Sequence, residues 1–254
     1  MTQLTLAIAG CTGRMGQALI ATAHGNKDVK IVAGGVRNTA KQQAAGLFVT
    51  SEPAVLVGKA EAVIDFTTPE TTLALAREVA KTGGIIVIGT TGFSDGQQKK
   101  INECAATARI VQSGNFSLGV NILESLVERT AMLLNEQYDI EISEMHHRYK
   151  KDAPSGTALM LGHAAAKGRN VSFDNKKMLD HGGERKIGDI GFASLRGGDV
   201  VGIHNVMFAG NNELITLSHQ GFSRTIFATG AITAALWARD KKPGVYSMRD
   251  VIGL

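Results

Sequence analysis

Between Glu144 and Thr157 the sequence runs Glu-Met-His-His-Arg-Tyr-Lys-Lys-Asp-Ala-Pro-Ser-Gly-Thr. Either His146 or His147 can deliver a proton near neutral pH. Lys150 adds a full positive charge, and Ser155 and Thr157 add hydroxyl donors. Residues from Thr157 to Ala166 read as a helix opened by Pro154-Ser155-Gly156. The first N–H groups of a helix lack intrahelical partners and favour an anion. A histidine pair alone is more often structural, and Lys-Lys is usually a solvated face. Their convergence with a helix opening supplies what is needed to hold a carboxylate and protonate something beside it.

These groups need elements to position them. Upstream, Tyr138, Ile140 and Ile142 alternate with Asp139, Glu141 and Ser143, the period of a half-buried strand. Near the start of the chain, the apolar run Leu4–Ala9 meets Gly10-Cys11-Thr12-Gly13-Arg14-Met15-Gly16, and a helix follows over 17–23. Strand, glycine turn and helix form the context of a dinucleotide site, although the spacing is GxxGxxG rather than GxGxxG. A second strand over 29–36 ends in Val36 where a ribose-binding acid is expected. Arg37 follows, and Lys41 lies four residues on. An absent acid beside an added arginine favours a 2′-phosphate, hence NADPH.

Further strands are expected at 62–68, 85–88 and 110–112, with helices at 69–81 and from about Ser94 to Ala108. The later two strands end in the turns Gly89-Thr90-Thr91-Gly92-Phe93 and Ser113-Gly114-Asn115-Phe116-Ser117. Alternating strands and helices specify a doubly wound, Rossmann-type parallel sheet, whose ligands gather at the strand carboxyl ends. Beyond an apolar helical stripe over 118–135, segment 170–185 reads as loop. Three β-rich runs follow at 187–196, 199–208 and 212–219. Together with the strand at 138–145 they predict an α+β domain with a mixed or antiparallel sheet, and a last helix over 223–239 returns to the first domain. The division expected is 1–117 with 225–254 as the dinucleotide-binding domain, and 118–224 as a substrate-binding and tetramerisation domain.

Composition narrows the function. The charge of +4 is mild, and Lys and Arg form no stripe interleaved with aromatics, so small anionic ligands fit better than nucleic acid. Cys11 and Cys104 stand in no metal-binding or disulfide spacing, so no metal is expected. The absence of a leader-like or long apolar run makes the cytoplasm the default location and argues against a membrane partner.

The chain resembles the 4-hydroxy-tetrahydrodipicolinate (dihydrodipicolinate) reductase family. The markers are Gly10–Gly16, Ile64-Asp65-Phe66-Thr67, Gly89–Phe93 and Asn115-Phe116-Ser117. The most specific are Glu144–Lys150 and Lys151–Ala158, and the likeness continues through Gly191-Phe192-Ala193, Asp199–Gly202, Ser223-Arg224 and Met248–Val251. The resemblance implies an NAD(P)H-dependent reductase of a cyclic dicarboxylate in lysine and diaminopimelate synthesis, assembled as a homotetramer. It further implies His146 as proton donor and Lys150 as a second catalytic group, with His147, Gly156 and Thr157 on the substrate. For the cofactor it implies Gly10, Cys11, Thr12, Gly13, Arg14, Met15, Arg37, Gly89, Thr90, Thr91, Ser113, Gly114, Asn115 and Phe116. Many members carry an acid where this chain has Val36, so NADPH is expected to be preferred, with NADH possible. Two alternatives remain. One is another amino-acid-pathway dehydrogenase, of the aspartate-semialdehyde or homoserine type. The other is a non-catalytic nucleotide sensor, which would not require the His-His-Arg and Lys cluster.

Overall fold

The computed structural model describes residues 2–39, 46–179 and 182–254. The chain divides into two compact units, Met1–Leu118 with Arg224–Leu254, and Gly119–Ser223.

The first unit begins with β1 (Leu4–Ala9), α1 (Arg14–Ala23), β2 (Val29–Gly35), β3 (Phe48–Thr50) and α2 (Pro53–Val57). It continues with β4 (Ala62–Asp65), α3 (Pro69–Thr82), β5 (Ile85–Ile88), α4 (Asp95–Cys104) and β6 (Arg109–Gln112). The second unit carries α5 (Leu118–Leu133), β7 (Asp139–His146), α6 (Gly156–Gly168), α7 (Phe173–Lys176) and β8 (Lys177–Met178). Then come β9 (Ile190–Arg196), β10 (Gly202–Ala209) and β11 (Leu214–Gly221). The chain returns to the first unit with α8 (Thr225–Ala238), β12 (Gly244–Tyr246) and α9 (Met248–Ile252).

In the first unit the strands lie in the order β12-β6-β5-β4-β1-β2-β3, all parallel. Parallel strands are covered on both faces and read as continuous apolar runs, as Ile85-Ile86-Val87-Ile88 does. Leu6, Ile8, Ile64, Val87 and Val111 pack with residues of α1 and α8. Val63, Ile86, Ile88 and Ile110 face the opposite way, onto Leu75 and Val79 of α3 and Ile101 of α4. Local chemistry sets the helix ends. Thr68 caps α3, where Pro69 takes the first position, and Gly83 closes it in the left-handed region. A Ser94–Gln97 capping box opens α4.

The second unit's sheet is mixed, in the order β11-β10-β7-β9-β8. Strand β10 runs antiparallel to β7 and β11, while β9 runs parallel to β7 and β8. Ile140, Ile142, Ile190, Phe192, Val206 and Phe208 are buried against α5 and α6.

The structure departs from the sequence reading in several places. Segment 170–185 is not simply loop: buried Phe173 packs on Phe192 and anchors the short α7, which leads into β8. The helix after Ser94 ends at Cys104 and finishes in turns rather than running to Ala108. Strands β3 and β12, three residues each, were not anticipated.

Candidate functional site

Each unit carries one part of the chemistry. In the first, the carboxyl ends of β2, β1, β4, β5 and β6 follow one another along a single edge of the sheet. At the end of β1, Gly10 turns with a φ of 67°, and a Cβ there would sit 3.0 Å from the Thr67 methyl. Gly13 donates its N–H to the Gly10 carbonyl and is the N-cap of α1, yet supplies no side-chain acceptor. The first turn of α1 therefore presents N–H groups suited to a pyrophosphate. Beside it lies a cleft of about 600 Å³. Its lining brings together Gly10, Thr12, Gly13 and Arg37 from the sequence reading, and adds Thr50, Ser51, Phe66, Thr67 and Thr68. A bare glycine turn and an uncapped helix start fit a dinucleotide.

The remaining cofactor candidates do not line that cleft. Cys11 turns its side chain into the core beside Gly34, where burial pushes the thiol up from its ordinary value. Its backbone N–H goes to Gly35. Arg14 is exposed, and Met15 packs against the core. Gly89, Thr90 and Thr91 follow β5, and Ser113, Gly114, Asn115 and Phe116 follow β6. The Ser113 hydroxyl donates to the Asn115 carbonyl at 2.7 Å, and Asn115 Oδ1 accepts the Ser117 N–H at 2.8 Å, so this turn is braced. The Phe116 ring is core, edge-on to Phe66. Lys41 falls outside the described residues.

Asp65, which the sequence reading used only as a marker, ties two of these loops together. It is fully buried and accepts hydroxyl hydrogen bonds from Thr67, Thr72 and Thr90. Thr90 Oγ1 also accepts the Thr67 N–H at 3.0 Å. Burial pushes the Asp65 carboxyl above the usual range, against the pull of the hydroxyls.

In the second unit, His146 ends β7 and Ser155 caps α6; between them the chain passes a cis Ala153–Pro154 bond. His146 Nδ1 lies 2.5 Å from Glu144 Oε2. The Glu144 side chain is 1% exposed and takes both Nη groups of Arg196, at 2.9 and 2.8 Å. Its Oε1 also accepts the Ser155 N–H at 3.2 Å. Burial raises the Glu144 carboxyl, but hydrogen bonds from Arg196, His146 and Ser194 outweigh it and hold it below the usual range. For His146, burial lowers the pKa and Glu144 pulls it up; with Lys150 and Arg196 also lowering it, the net shift is downward.

The other candidates surround this pair. His204 stacks edge-on to His146 with ring centres 5.1 Å apart, and its Nε2 lies 3.3 Å from Ser155 Oγ. Burial takes His204 down to about 4, so it is neutral beside its neighbour. Lys150 Nζ pairs with Asp152 at 2.8 and 2.9 Å. Ser155 is buried, its hydroxyl accepting from Ala158 N–H, so its polar groups turn inward. Gly156 is exposed at the helix start and Thr157 is half-buried. His147 Nδ1 is buried with no hydrogen-bond partner among the described residues, a group an oxygen of a ligand would satisfy.

Glu144, Arg196 and His204 escaped the sequence reading, though two had a signal. Residues 140, 142, 144 and 146 share one strand face, so the parity that buries Ile140 and Ile142 buries Glu144 with His146. His204 keeps the same parity with Val206 and Phe208. Arg196 reaches the site through the register His146↔Arg196, which no local pattern encodes.

A parallel sheet with a glycine turn feeding a helix, joined to a mixed-sheet unit holding a buried acid–histidine pair, defines a pyridine-nucleotide-dependent oxidoreductase. Comparison with known proteins narrows this. Residues 4–116 match the dihydrodipicolinate reductase N-terminal family model, and 119–252 match the C-terminal one. The 4-hydroxy-tetrahydrodipicolinate reductase of Beijerinckia indica is 48% identical, covering 100% of this chain and 99% of that protein. The enzyme of the same name from Caulobacter vibrioides is 49% identical, over 98% of this chain and 96% of its own. Among solved structures, a dipicolinate-bound dihydrodipicolinate reductase from Paenisporosarcina sp. TG-14 shares the fold with a TM-score of 0.78 at 24% identity, covering 99% of this chain and 100% of its own. The chain belongs to the dihydrodipicolinate reductase family.

Proposed function

We propose that the chain reduces 4-hydroxy-tetrahydrodipicolinate, by way of dihydrodipicolinate, to tetrahydrodipicolinate in lysine and diaminopimelate synthesis. The observation that carries this reading is the buried Glu144–His146 pair beside the opening of α6, in a chain similar over its whole length to enzymes of that name. A bound nicotinamide supplies the hydride. Gly10, Thr12 and Gly13 hold the pyrophosphate, while the turns Gly89–Thr91 and Ser113–Phe116 support the rest of the dinucleotide. His146 delivers a proton to the carbon and nitrogen system that gains charge when the ring is reduced. Lys150 and the N–H groups of Gly156 and Thr157 at the opening of α6 hold a substrate carboxylate, with Ser155 as the inward-facing cap of that helix and His147 as a further contact. A semialdehyde-type reaction needs a thiolate nucleophile, and burial pushes the Cys11 and Cys104 thiols in the opposite direction.

NADPH is the preferred cofactor in this reading, because Arg37 is exposed on the cleft and Val36 offers no carboxylate to a ribose. A homotetramer is proposed as well. Edge strand β11 exposes Leu214 and Ile215, with Phe222 just beyond, a surface suited to a second copy. Sedimentation is expected to give a tetramer, and a stable monomer at micromolar concentration refutes it. Among the described residues no helix is long and apolar enough to cross a membrane. The reaction is placed in the cytoplasm, where reduced pyridine nucleotide is held.

The test is a coupled assay that makes the substrate in situ and supplies each nicotinamide in turn. His146→Gln is expected to lower kcat with little change in the KM for NADPH, and Lys150→Ala to impair both kcat and substrate KM. Near-wild-type kcat/KM in both variants removes the assignment.

A further inference from the structure

We propose that Glu144, clamped by Arg196, is a positioning residue that keeps the proton of neutral His146 on Nδ1 and reserves Nε2 for exchange with the substrate. The inference rests on the reading of His146 as proton donor and adds what sets its tautomer.

An ionised carboxylate only accepts. Glu144 Oε1 receives Arg196 Nη2 and the Ser155 N–H, and Oε2 receives Arg196 Nη1 and His146, with Ser194 a further side-chain donor to the carboxylate. A guanidinium fork on both oxygens fixes the carboxylate plane and keeps the group charged. The atom of His146 that meets Oε2 is Nδ1, so Nδ1 carries the hydrogen. In the neutral ring Nε2 then holds the lone pair, and in the charged ring it holds the transferable proton. Gly202 keeps that side of the ring clear, since a Cβ there would lie 3.1 Å from Nε2.

The charged surroundings are of one design. Glu144 comes from the same strand as His146. Arg196 comes from β9, Lys150 from the loop after β7, and His204 from β10, with His219 of β11 beyond it. Among the described residues Glu144 favours the imidazolium, Lys150 and Arg196 oppose it, and His204 stays neutral.

Glu144→Gln tests the assignment. Arg196 places one Nη group on each oxygen and does not choose between them, whereas the Ser155 N–H can only donate and claims the amide oxygen at the Oε1 position. The amide NH₂ is then left facing His146, and the ring answers by moving its hydrogen to Nε2. The measurement is the imidazole ¹⁵N spectrum of the full-length protein labelled at histidine, with His146 assigned by its loss in His146→Gln. Wild type is expected to show an Nδ1–H ring, and Glu144→Gln an Nε2–H ring. In the same variant kcat is expected to fall by about ten- to a hundredfold, the loss of one hydrogen bond to a charged group. Its decline with rising pH is expected to begin at lower pH, while the KM for NADPH stays unchanged. An Nε2–H ring in wild type, which needs no variant to fold, overturns the proposal, as does an unaltered tautomer in Glu144→Gln. A switched tautomer with an unchanged kcat upholds the positioning role and removes His146 from proton transfer.

Discussion

Arg196→Ala isolates the energetics of the clamp. The substitution deletes two hydrogen bonds to Glu144, at 2.9 and 2.8 Å, a third to the Asp152 carbonyl at 2.7 Å and a fourth to the Leu195 carbonyl at 2.6 Å. The surviving carboxylate keeps the Ser155 N–H, Ser194 and His146 but loses its counter-charge in a site where its side chain is 1% exposed. Removing one partner of a buried ion pair costs about 3–5 kcal/mol, and two hydrogen bonds to a charged group, at about 1.5–3 kcal/mol each, give about 3–6 kcal/mol, an overlapping range. The pH dependence has a definite sign. In wild type the folded pKa of Glu144 is depressed, so its contribution is present above the unfolded value and is lost as pH falls through the folded one. In the variant burial dominates and the folded pKa rises, so stability is lost as pH increases through it. The deficit is therefore largest at neutral pH and shrinks towards pH of about 4, where the variant's buried carboxyl is already protonated, while wild-type Glu144 is protonated only as pH falls through its depressed folded value. Urea unfolding followed by circular dichroism at the two pH values measures it. Replacing the pair together, with Glu144→Met and Arg196→Leu, is expected to recover much of the loss. A neutral-pH deficit below about 1 kcal/mol, the value of an exposed pair, or one equal at both pH values, refutes the reasoning.

Two further outcomes follow from the geometry. Arg37→Ala is expected to weaken NADPH by about ten- to a hundredfold, one charge-assisted hydrogen bond, and to leave NADH nearly unchanged; steady-state kcat/KM with each cofactor decides it. Gly202→Ala places a methyl 3.1 Å from His146 Nε2 and 3.3 Å from His204 Cε1. Misplacing a reacting group by about 1 Å can cost 10²-fold, so kcat is expected to drop by about tenfold or more, with cofactor KM and unfolding midpoint near wild type.

Much of the fold was legible because its signals are local. Leu4–Ala9 followed by Gly10 and Gly13, and the tetrapeptide Ile85–Ile88, declare buried parallel strands by composition. The alternation at 139–146 gives a strand covered on one face. What stayed hidden is either too short or too distant. Strands β3, β8 and β12 have two or three residues and exist because a neighbouring strand offers them hydrogen bonds. At the site, His146 and Lys150 stand out by type, whereas Glu144 looks like one more strand carboxylate until its parity is followed past Ile142. Arg196 becomes its partner only once β9 is laid beside β7.

The return of the chain to the first unit bears on how it is made. Helix α8 packs on α1 and on β4, β5 and β6, and its Gly230 leaves no room for a Cβ against the Phe116 carbonyl. Ala228, Ala231, Ala234, Ala235 and Ala238 fill one face of the sheet. A ribosome that has finished β6 has therefore made a sheet with one side covered only by α1, and must still make Gly119–Ser223 before the rest of the cover arrives. At about 5–20 residues per second that wait is roughly 5–20 s. The later segment is continuous and can complete its own core first. Nascent chains stalled before residue 225 are thus the form in which an aggregation-prone apolar surface is open to a chaperone, and the nucleotide unit, although first in the gene, is the last to close.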